Sequence, residues 1–147
     1  MSLTDLIIVV VFWAIALFHW RRQSATPPPR VPRIAPSQLD NPPLVSIIVP
    51  ARNEGDCIEH CVRSLLAQDY PRFEVLAVND ASQDDTGLIL DRLAVTDRRL
   101  TVIHSALLPP GWMGKAHAIM QGYRVARGDW LVFTDADTEH APWLLSG

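Results

Sequence analysis

The chain has 147 residues, of which 48% are hydrophobic and 20% charged, a composition typical of an ordered globular protein with room for one domain. Its formal net charge of -3 and its pI near 5.9 give no broad positive field, and no run of Lys and Arg supplies a local one. These values exclude disorder over the whole chain and disfavour a nucleic-acid partner.

Residues 1–22 are predicted to form a membrane anchor helix. Leu6 to Phe18 is an unbroken apolar run, followed by Trp20, Arg21 and Arg22. Counted to Trp20, the helix would be about 22 Å long, shorter than the hydrocarbon core of about 30 Å, and a buried core helix is the alternative. Arginines after the run, and not before it, disfavour a cleaved signal peptide and predict that the following domain faces the cytoplasm. The expected location is therefore the cell inner membrane, crossed once.

Residues 23–43 are predicted to be a linker. Seven prolines lie between Pro27 and Pro43. Proline blocks regular helix and central strand and favours extended conformations, so this segment is expected to act as a spacer.

Residues 44–147 alternate between predicted strands and helices, which indicates one α/β domain. Short apolar, β-branched runs predict four strands, at Leu44–Pro50, Phe73–Asn79, Leu100–Ser105 and Asp129–Thr134.

Apolar residues at helical spacing predict a helix after each of the first three strands. The first helix is expected to end near Gln68, before Pro71. Ser82 and Asp85 have the spacing of a capping box and predict the start of the second helix, and Gly128 is the predicted C-cap of the third. The residues that mark the three helices are Ile58, Cys61, Val62, Leu65 and Leu66; then Ile89, Leu90, Leu93 and Ala94; then Ala116, Ile119, Met120 and Tyr123.

This alternation favours a Rossmann-like, mostly parallel sheet with helices on both faces, whose ligands bind at the carboxyl ends of the strands. The four strands are followed by PARNEGD, by NDASQDD, by a loop carrying GWMGK, and by DADTEH. The polar and charged residues are therefore expected to collect on one rim of the sheet.

Asp135 and Asp137 lie two residues apart after an apolar strand, and in extended backbone such residues point to the same side. Two carboxylates on one side can share Mg²⁺ or Mn²⁺, ions that commonly bridge carboxylates to substrate phosphates. A solvated acidic loop is the alternative for this pair. Asp80, after the second strand, is open to a similar alternative, because Asp is also a common turn residue.

Lys115 follows Gly111 and Gly114 and opens a helix, where backbone amides and a cation could hold an anion. The spacing is not that of a P-loop, and no GxGxxG motif follows the first strand, which disfavours dinucleotide binding. An ordinary surface lysine after a glycine-rich turn is the alternative.

The two cysteines, Cys57 and Cys61, would share one helix face at an awkward geometry for a disulfide, so free thiols are expected. The adjacent His60 admits a zinc site, but such a site needs four ligands and no second cluster appears in the sequence.

Three other classes of protein fit the motifs less well. A phosphatase of the haloacid dehalogenase type would place its DxD after the first strand. A receiver domain would place its acidic pair there and a phosphorylatable Asp after the third strand. A non-enzymatic adaptor would present an exposed apolar patch, which the sequence does not reveal.

The motifs together resemble the family 2 glycosyltransferases of GT-A fold, over a stretch from about Leu44 to Leu145. VPARNE is similar to the family's opening strand-loop motif, AVNDASQDDT to its DDxSxDxT, GKAHAIMQG to its GKxxAxNxG and FTDADT to its metal motif. The variant LLPPGWMGKAHA with DADTEHAP is similar to bacterial members associated with hopanoid or carotenoid glycosylation and to ceramide-glucosyltransferase-like proteins. Asn79 departs from the family's usual Asp.

The resemblance implies a nucleotide-sugar site, a divalent cofactor (Mg²⁺ or Mn²⁺), a donor expected to be a UDP-sugar, and an acceptor expected to be a lipid or polyisoprenoid at the membrane. The residues it implies are Ala51, Arg52 and Glu54 by the nucleotide, Asp80 near the base, Lys115 at the diphosphate or sugar, Asp135 at the ribose and metal, and Asp137 on the metal.

In such enzymes an acceptor hydroxyl attacks the anomeric carbon and inverts it. The general base and the acceptor site are expected in a C-terminal half that this chain lacks, so the chain is expected to bind donor without turnover. The alternatives are a membrane-tethered nucleotide-binding module without catalysis and a nucleotidyltransferase. The latter would carry a glycine-rich, basic loop after the first strand, of which PARNEGD is a poor version.

Overall fold

The computed structural model describes Trp13, residues 41–105 and residues 108–146. These residues form four strands and three helices, all within the unit Arg33–Gly147. In chain order they are β1 (Val45–Ala51), α1 (Ile58–Leu66), β2 (Phe73–Asn79), α2 (Thr86–Thr96), β3 (Leu100–His104), α3 (Gly114–Val125) and β4 (Trp130–Phe133). The predicted alternation of strands and helices is confirmed.

The four strands form one parallel sheet in the order β3-β2-β1-β4. Val45 of β1 lies opposite Phe73 of β2 and Trp130 of β4. The central strands β1 and β2 are buried along nearly their whole length, as their continuous apolar sequences predict for strands covered on both faces. The carboxyl ends of the strands consequently meet at one edge of the sheet.

The helices cover both faces of this sheet, as predicted. Ile47 and Val49 of β1 pack with α1 and α2, whereas the intervening Ile48 packs with Ala118 of α3. Alternate residues of a strand point to opposite faces, so one strand serves two cores. Each fully buried Ile or Val in these cores contributes about 1.5–3 kcal/mol of transfer free energy.

The buried residues of helix α3 are not among the four that marked this helix in the sequence. Tyr123 is 55% exposed and Ala116 is exposed, while Ala118 and Gly122 are buried. A Cβ at Gly122 would lie 2.6 Å from Cγ2 of Ile48, so the small residues let the helix axis approach the sheet closely. The close approach of α3 to the sheet therefore places its small residues, and not its large ones, on the face that contacts the sheet.

The predicted helix caps at Ser82 and Gly128 are wrong. Helix α2 begins at Thr86, and Ser82 instead bonds the backbone of another loop. Helix α3 ends at Val125 with Ala126 as its C-cap, and Gly128 lies against Ser46, whose backbone nitrogen would be 2.5 Å from an added Cβ. Both residues make contacts with distant parts of the chain and do not cap a helix.

Ser46 belongs to a buried polar group at the amino end of the sheet. Its hydroxyl donates to Glu74 at 2.7 Å and accepts from the Gly128 amide at 2.8 Å. Arg127 closes the group by donating its backbone amide and its guanidinium to Glu74. These bonds tie the end of α3 to β1 and β2, away from the polar rim.

Helix α1 ends at Leu66, slightly before the predicted end near Gln68. The Gln68 side chain instead donates to the Ala141 carbonyl, and the Asp69 amide donates to that of Pro142. The segment after β4 is therefore fastened to the end of α1.

The predicted anchor lies outside the described residues, apart from Trp13. No helix in the described part of the chain is long and apolar enough to cross a membrane.

Candidate functional site

A cleft of about 400 Å³ opens at the carboxyl ends of β1, β2 and β4, beside the first turn of α3. This is the edge where parallel α/β sheets bind ligands. Seven of its lining residues are those that the sequence predicted, and four are not: Ala51, Arg52, Glu54, Asp80, Lys115, Asp135 and Asp137, with Pro50, Gly114, Ala118 and Ala136. The fold thus brings every predicted site residue to one place.

Asp80 forms the buried floor of the cleft. Its amide donates to the Ala51 carbonyl at 2.8 Å, and its carboxylate lies 3.8 Å from Nη1 of the largely exposed Arg52. A Cβ at Gly114 would lie only 2.8 Å from Oδ2 of Asp80. Glycine at this position therefore allows the start of α3 to approach the Asp80 carboxylate.

The loop after β1 is held by side chains from the segment after β2. The Asn53 amide donates to Ser82 Oγ at 3.0 Å, and the Glu54 amide donates to Thr86 Oγ1 at 2.8 Å. The Gly55 amide donates to Asp84 Oδ2 at 2.9 Å. The Ser, Asp and Thr of the DASQDDT segment thus position the cleft loop, a role that sequence reasoning missed.

Two turns beside the cleft use left-handed backbone without glycine. Asn53 has φ 56° and Ala81 has φ 52°. This conformation costs an alanine about 1–2 kcal/mol, whereas asparagine visits it more readily. The bonds between the two loops hold the Ala81 turn in place.

Lys115 and Asp135 form an ion pair across the cleft, with both side chains more than half exposed. A hydrogen bond from Lys115 to Asp135 and the charge of that carboxylate raise the pKa of Lys115, and the charge of Asp137 adds to the effect. One cation therefore stands beside two carboxylates.

Asp135 and Asp137 both face the cleft, but the premise that they lie in extended strand is wrong. Strand β4 ends at Phe133, and the two residues belong to a turn in which Ala136 is buried. The Thr138 hydroxyl donates to the Asp135 carbonyl at 2.7 Å and contacts Nε2 of His140 at 2.9 Å. The shared orientation of the carboxylates thus comes from this turn.

His140 supports the turn from behind. It also lies 2.9 Å from the Thr134 hydroxyl, and its backbone amide donates to Ser64 Oγ of α1 at 3.0 Å. Burial lowers the pKa of His140, which favours a neutral ring among these hydroxyls. The acidic turn is therefore anchored to a network of hydroxyl groups and the His140 ring.

Both cysteines are free thiols, as expected. Cys57 donates to Glu54 at 3.2 Å, and burial together with that bond raises the pKa of Cys57 to about 11. Cys61 is buried against the Asp135 carbonyl, and burial raises its pKa too. His60, the third potential zinc ligand, pairs with Glu139 at 3.3 Å. Neither thiol has the low pKa of a nucleophilic cysteine.

The donor set suits a cation that is shared with a ligand. No group of three or more His, Cys, Asp or Glu side chains comes together as a metal site within residues 41–105 and 108–146. Mg²⁺ and Mn²⁺ are commonly held by one or two carboxylates, with substrate phosphates and water completing the shell. Asp135 and Asp137 fit that arrangement.

The two relatives described next are glycosyltransferases by name. The chain is 41% identical over 95 residues to the uncharacterized glycosyltransferase EpsJ of Bacillus subtilis, a match covering 65% of this chain and 26% of that protein. It is 35% identical over 97 residues to 4,4'-diaponeurosporenoate glycosyltransferase of Staphylococcus aureus, covering 66% of this chain and 24% of that protein. The chain thus spans about a quarter of the length of these relatives.

A solved structure shows the same likeness. The mannosyltransferase PcManGT of Pyrobaculum calidifontis, in complex with GDP-Man and Mn²⁺, is 34% identical and superposes with a TM-score of 0.65. The superposition covers 91% of this chain and 41% of that protein. The sequence profile of glycosyl transferase family 2 matches residues 46–146, which include every residue of the cleft and all of the sheet except Val45. The chain belongs to glycosyl transferase family 2.

Proposed function

We propose that this protein transfers a sugar from a nucleotide-sugar donor, expected to be a UDP-sugar, to a lipid or polyisoprenoid acceptor at the cytoplasmic face of the cell inner membrane, with inversion of the anomeric carbon. The observation that carries the donor half of the proposal is the convergence of a lysine, an arginine and three aspartates in one cleft. Such a cleft matches a nucleoside diphosphate in charge, because cations meet phosphate oxygens and the acidic turn can hold a divalent ion.

Each group has a place in donor binding. Asp135 and Asp137 would hold Mg²⁺ or Mn²⁺, which when bound neutralises charge on the leaving diphosphate. Lys115 already pairs with Asp135, so a diphosphate entering the cleft meets a cation beside the carboxylates. Asp80 is buried and accepts hydrogen bonds, which suits it to contact the N–H groups of a base. The fixed loop from Arg52 to Gly55 would position the nucleotide without reorganisation, the main way that such sites accelerate phosphate chemistry.

The acceptor half of the proposal has different support. The apolar N-terminal run is predicted to anchor the chain in a membrane, and one relative is named 4,4'-diaponeurosporenoate glycosyltransferase. We assign the general base and the acceptor site to residues outside the described domain, because Asp135 and Asp137 would hold the metal ion, Asp80 would contact the base, and Glu54 accepts a hydrogen bond from Cys57. The described domain would then supply donor binding.

Calorimetric titration of the 147-residue chain in detergent micelles tests the donor half. UDP-glucose and GDP-mannose should be compared, each with Mn²⁺ and with EDTA, in the natural protein and in Asp137→Ala. The matched control is Asp85→Ala, because Asp85 is exposed, lies outside the cleft and makes no side-chain cap bond. We expect binding that needs Mn²⁺ and is lost only in Asp137→Ala.

The alternatives appear as other outcomes. The first alternative is a nucleotide-binding module. It would be favoured if nucleotide sugar binds with metal but no sugar is transferred to polyprenyl phosphate, even when the chain is extended to the length of its relatives. Release of pyrophosphate from a nucleoside triphosphate and a sugar phosphate would favour a nucleotidyltransferase. Absence of binding in a protein shown to be folded would refute the donor site.

A further inference from the structure

A chain of hydrogen bonds links the exposed side of α2 to the loop of the cleft. Oδ1 of Asp91 lies 3.0 Å from Nε2 of His104, and Nδ1 of His104 lies 3.1 Å from the Asn79 side-chain nitrogen. Asn79 Oδ1 accepts the Ser82 amide at 3.1 Å, and Ser82 Oγ accepts the Asn53 amide at 3.0 Å. A titratable ring near the surface is thus connected to the wall of the cleft by direct bonds.

A single arrangement of protons satisfies this chain. An ionised Asp91 can only accept, so His104 donates from Nε2. The side-chain amide of Asn79 presents its oxygen to the Ser82 N–H and therefore its nitrogen to His104. Nδ1 of His104 must then be the acceptor, which requires a neutral ring with its proton on Nε2.

The His104 ring contacts two elements of the fold. Its ring faces α2 on one side and β2 on the other, while α3 packs on the opposite face of the sheet. Asp91 is the charged group paired with it, and Asn79 on β2 is neutral. A Cβ at Gly87 would lie 2.7 Å from the Asn79 nitrogen, so glycine lets the first turn of α2 close over the pair.

We infer that His104 is a positioning residue, whose neutral Nε2–H ring holds the loop after β1 in its cleft-forming conformation and whose protonation releases that loop. A proton on Nδ1 would set two donors face to face across 3.1 Å. Rotating the Asn79 amide gives no relief, because its NH₂ group would then meet the Ser82 N–H. The turn between them contains Ala81 in left-handed backbone, which depends on these bonds.

The consequence for the reaction rests on the proposed function: donor binding should be weaker when the His104 ring is protonated than when it is neutral. The side chain at position 79 decides the direction of this dependence on pH. A carboxylate at this position would accept from a protonated Nδ1, and the dependence on pH would run the other way.

The first test needs no donor. Nuclear magnetic resonance of the ¹⁵N-labelled full chain in detergent micelles reports the ring tautomer of His104 and the amides of Asn53 and Ser82. We expect the proton on Nε2 at about pH 7.5 and, on acidification, movement of both amides together with the ring resonances of His104. His60, which is exposed and paired with Glu139, is the internal control, and a change at its ring should leave these amides in place. A proton on Nδ1 at neutral pH, or amides that stay fixed while His104 titrates, would overturn the inference.

The second test compares affinities for UDP-glucose and GDP-mannose with Mn²⁺ at about pH 7.5 and about pH 5.5. The loss of one such hydrogen bond should weaken binding by the natural protein about two- to tenfold at the lower pH. His104→Gln, which offers a carbonyl oxygen that does not titrate in this range, should bind nearly equally at both. Asn79→Asp should bind better at the lower pH. Parallel losses in all three proteins would overturn the inference. If none bound a nucleotide sugar, the proposed function would fail, and the resonance data would still decide the role of His104.

Discussion

Replacing Thr86 by Val should detach the cleft loop from α2 while leaving the core packed. Thr86 is fully buried, and its hydroxyl accepts the Glu54 amide at 2.8 Å and donates to Asp84 Oδ1 at 2.5 Å. Valine has nearly the same shape as threonine, so the substitution removes the hydrogen bonds without opening a cavity. The change therefore isolates the contribution of this hydroxyl to the site.

The structure sets the size of the effect. Asp84 keeps the backbone amides of Gly55 and Thr86 as partners, so it tolerates the loss of the hydroxyl. The amide of Glu54 has no second acceptor among the described residues; a fully buried donor without an acceptor costs about 1–3 kcal/mol, and this part-buried amide should cost about 1 kcal/mol. The matched control is Thr86→Ser, which keeps the hydroxyl and loses one buried methyl group, worth about 1 kcal/mol.

Two measurements separate these variants. Urea denaturation gives the free energy of unfolding of each variant, and hydrogen exchange gives the protection of the Glu54 amide. We expect Thr86→Val to expose that amide and to weaken binding of a nucleotide sugar, while Thr86→Ser retains both. Equal exchange rates and equal affinities in the two variants would show that Thr86 does not hold the loop.

Three further predictions concern the sheet and the cation of the cleft. Gly128→Ala should destabilise the fold by about 1–3 kcal/mol or more in urea unfolding, because the new Cβ would lie 2.5 Å from a backbone nitrogen of β1; a loss below about 0.5 kcal/mol would contradict this. Burial alone would raise the pKa of Glu74, but hydrogen bonds from Arg127 hold it below the ordinary value of 4.5. Glu74 therefore stabilises the fold above about pH 4.5, and this contribution is lost as pH falls through its lower folded-state pKa. In urea unfolding, the free energy of unfolding of Glu74→Gln should not show this decline. Lys115→Met should bind Mn²⁺ more tightly without nucleotide, since it frees Asp135, yet bind nucleotide sugar more weakly; calorimetric affinities that change in the same direction would contradict this.

Much of the fold could be predicted from local sequence patterns. Strand β2 has the predicted bounds, Phe73–Asn79, because a short β-branched run between polar turns has few other conformations. The stripe containing Ile58 and Leu65 is buried on α1 for a similarly local reason, the helical period. Since parallel strands place their carboxyl ends at one edge, the order of motifs also predicted that Asp80 and Asp135 would meet.

The sequence by itself therefore determined the alternation of elements, the parallel sheet and the rim where the cleft lies. The tertiary structure alone decided what holds that rim in shape. Ser82 looked like a helix cap but bonds Asn53, 29 residues away, and His104 bonds Asn79, 25 residues away. The propensity of a polar residue is local, but its hydrogen-bond partner is whichever unsatisfied group the fold brings within about 3 Å, and that choice appears only once the strands are aligned.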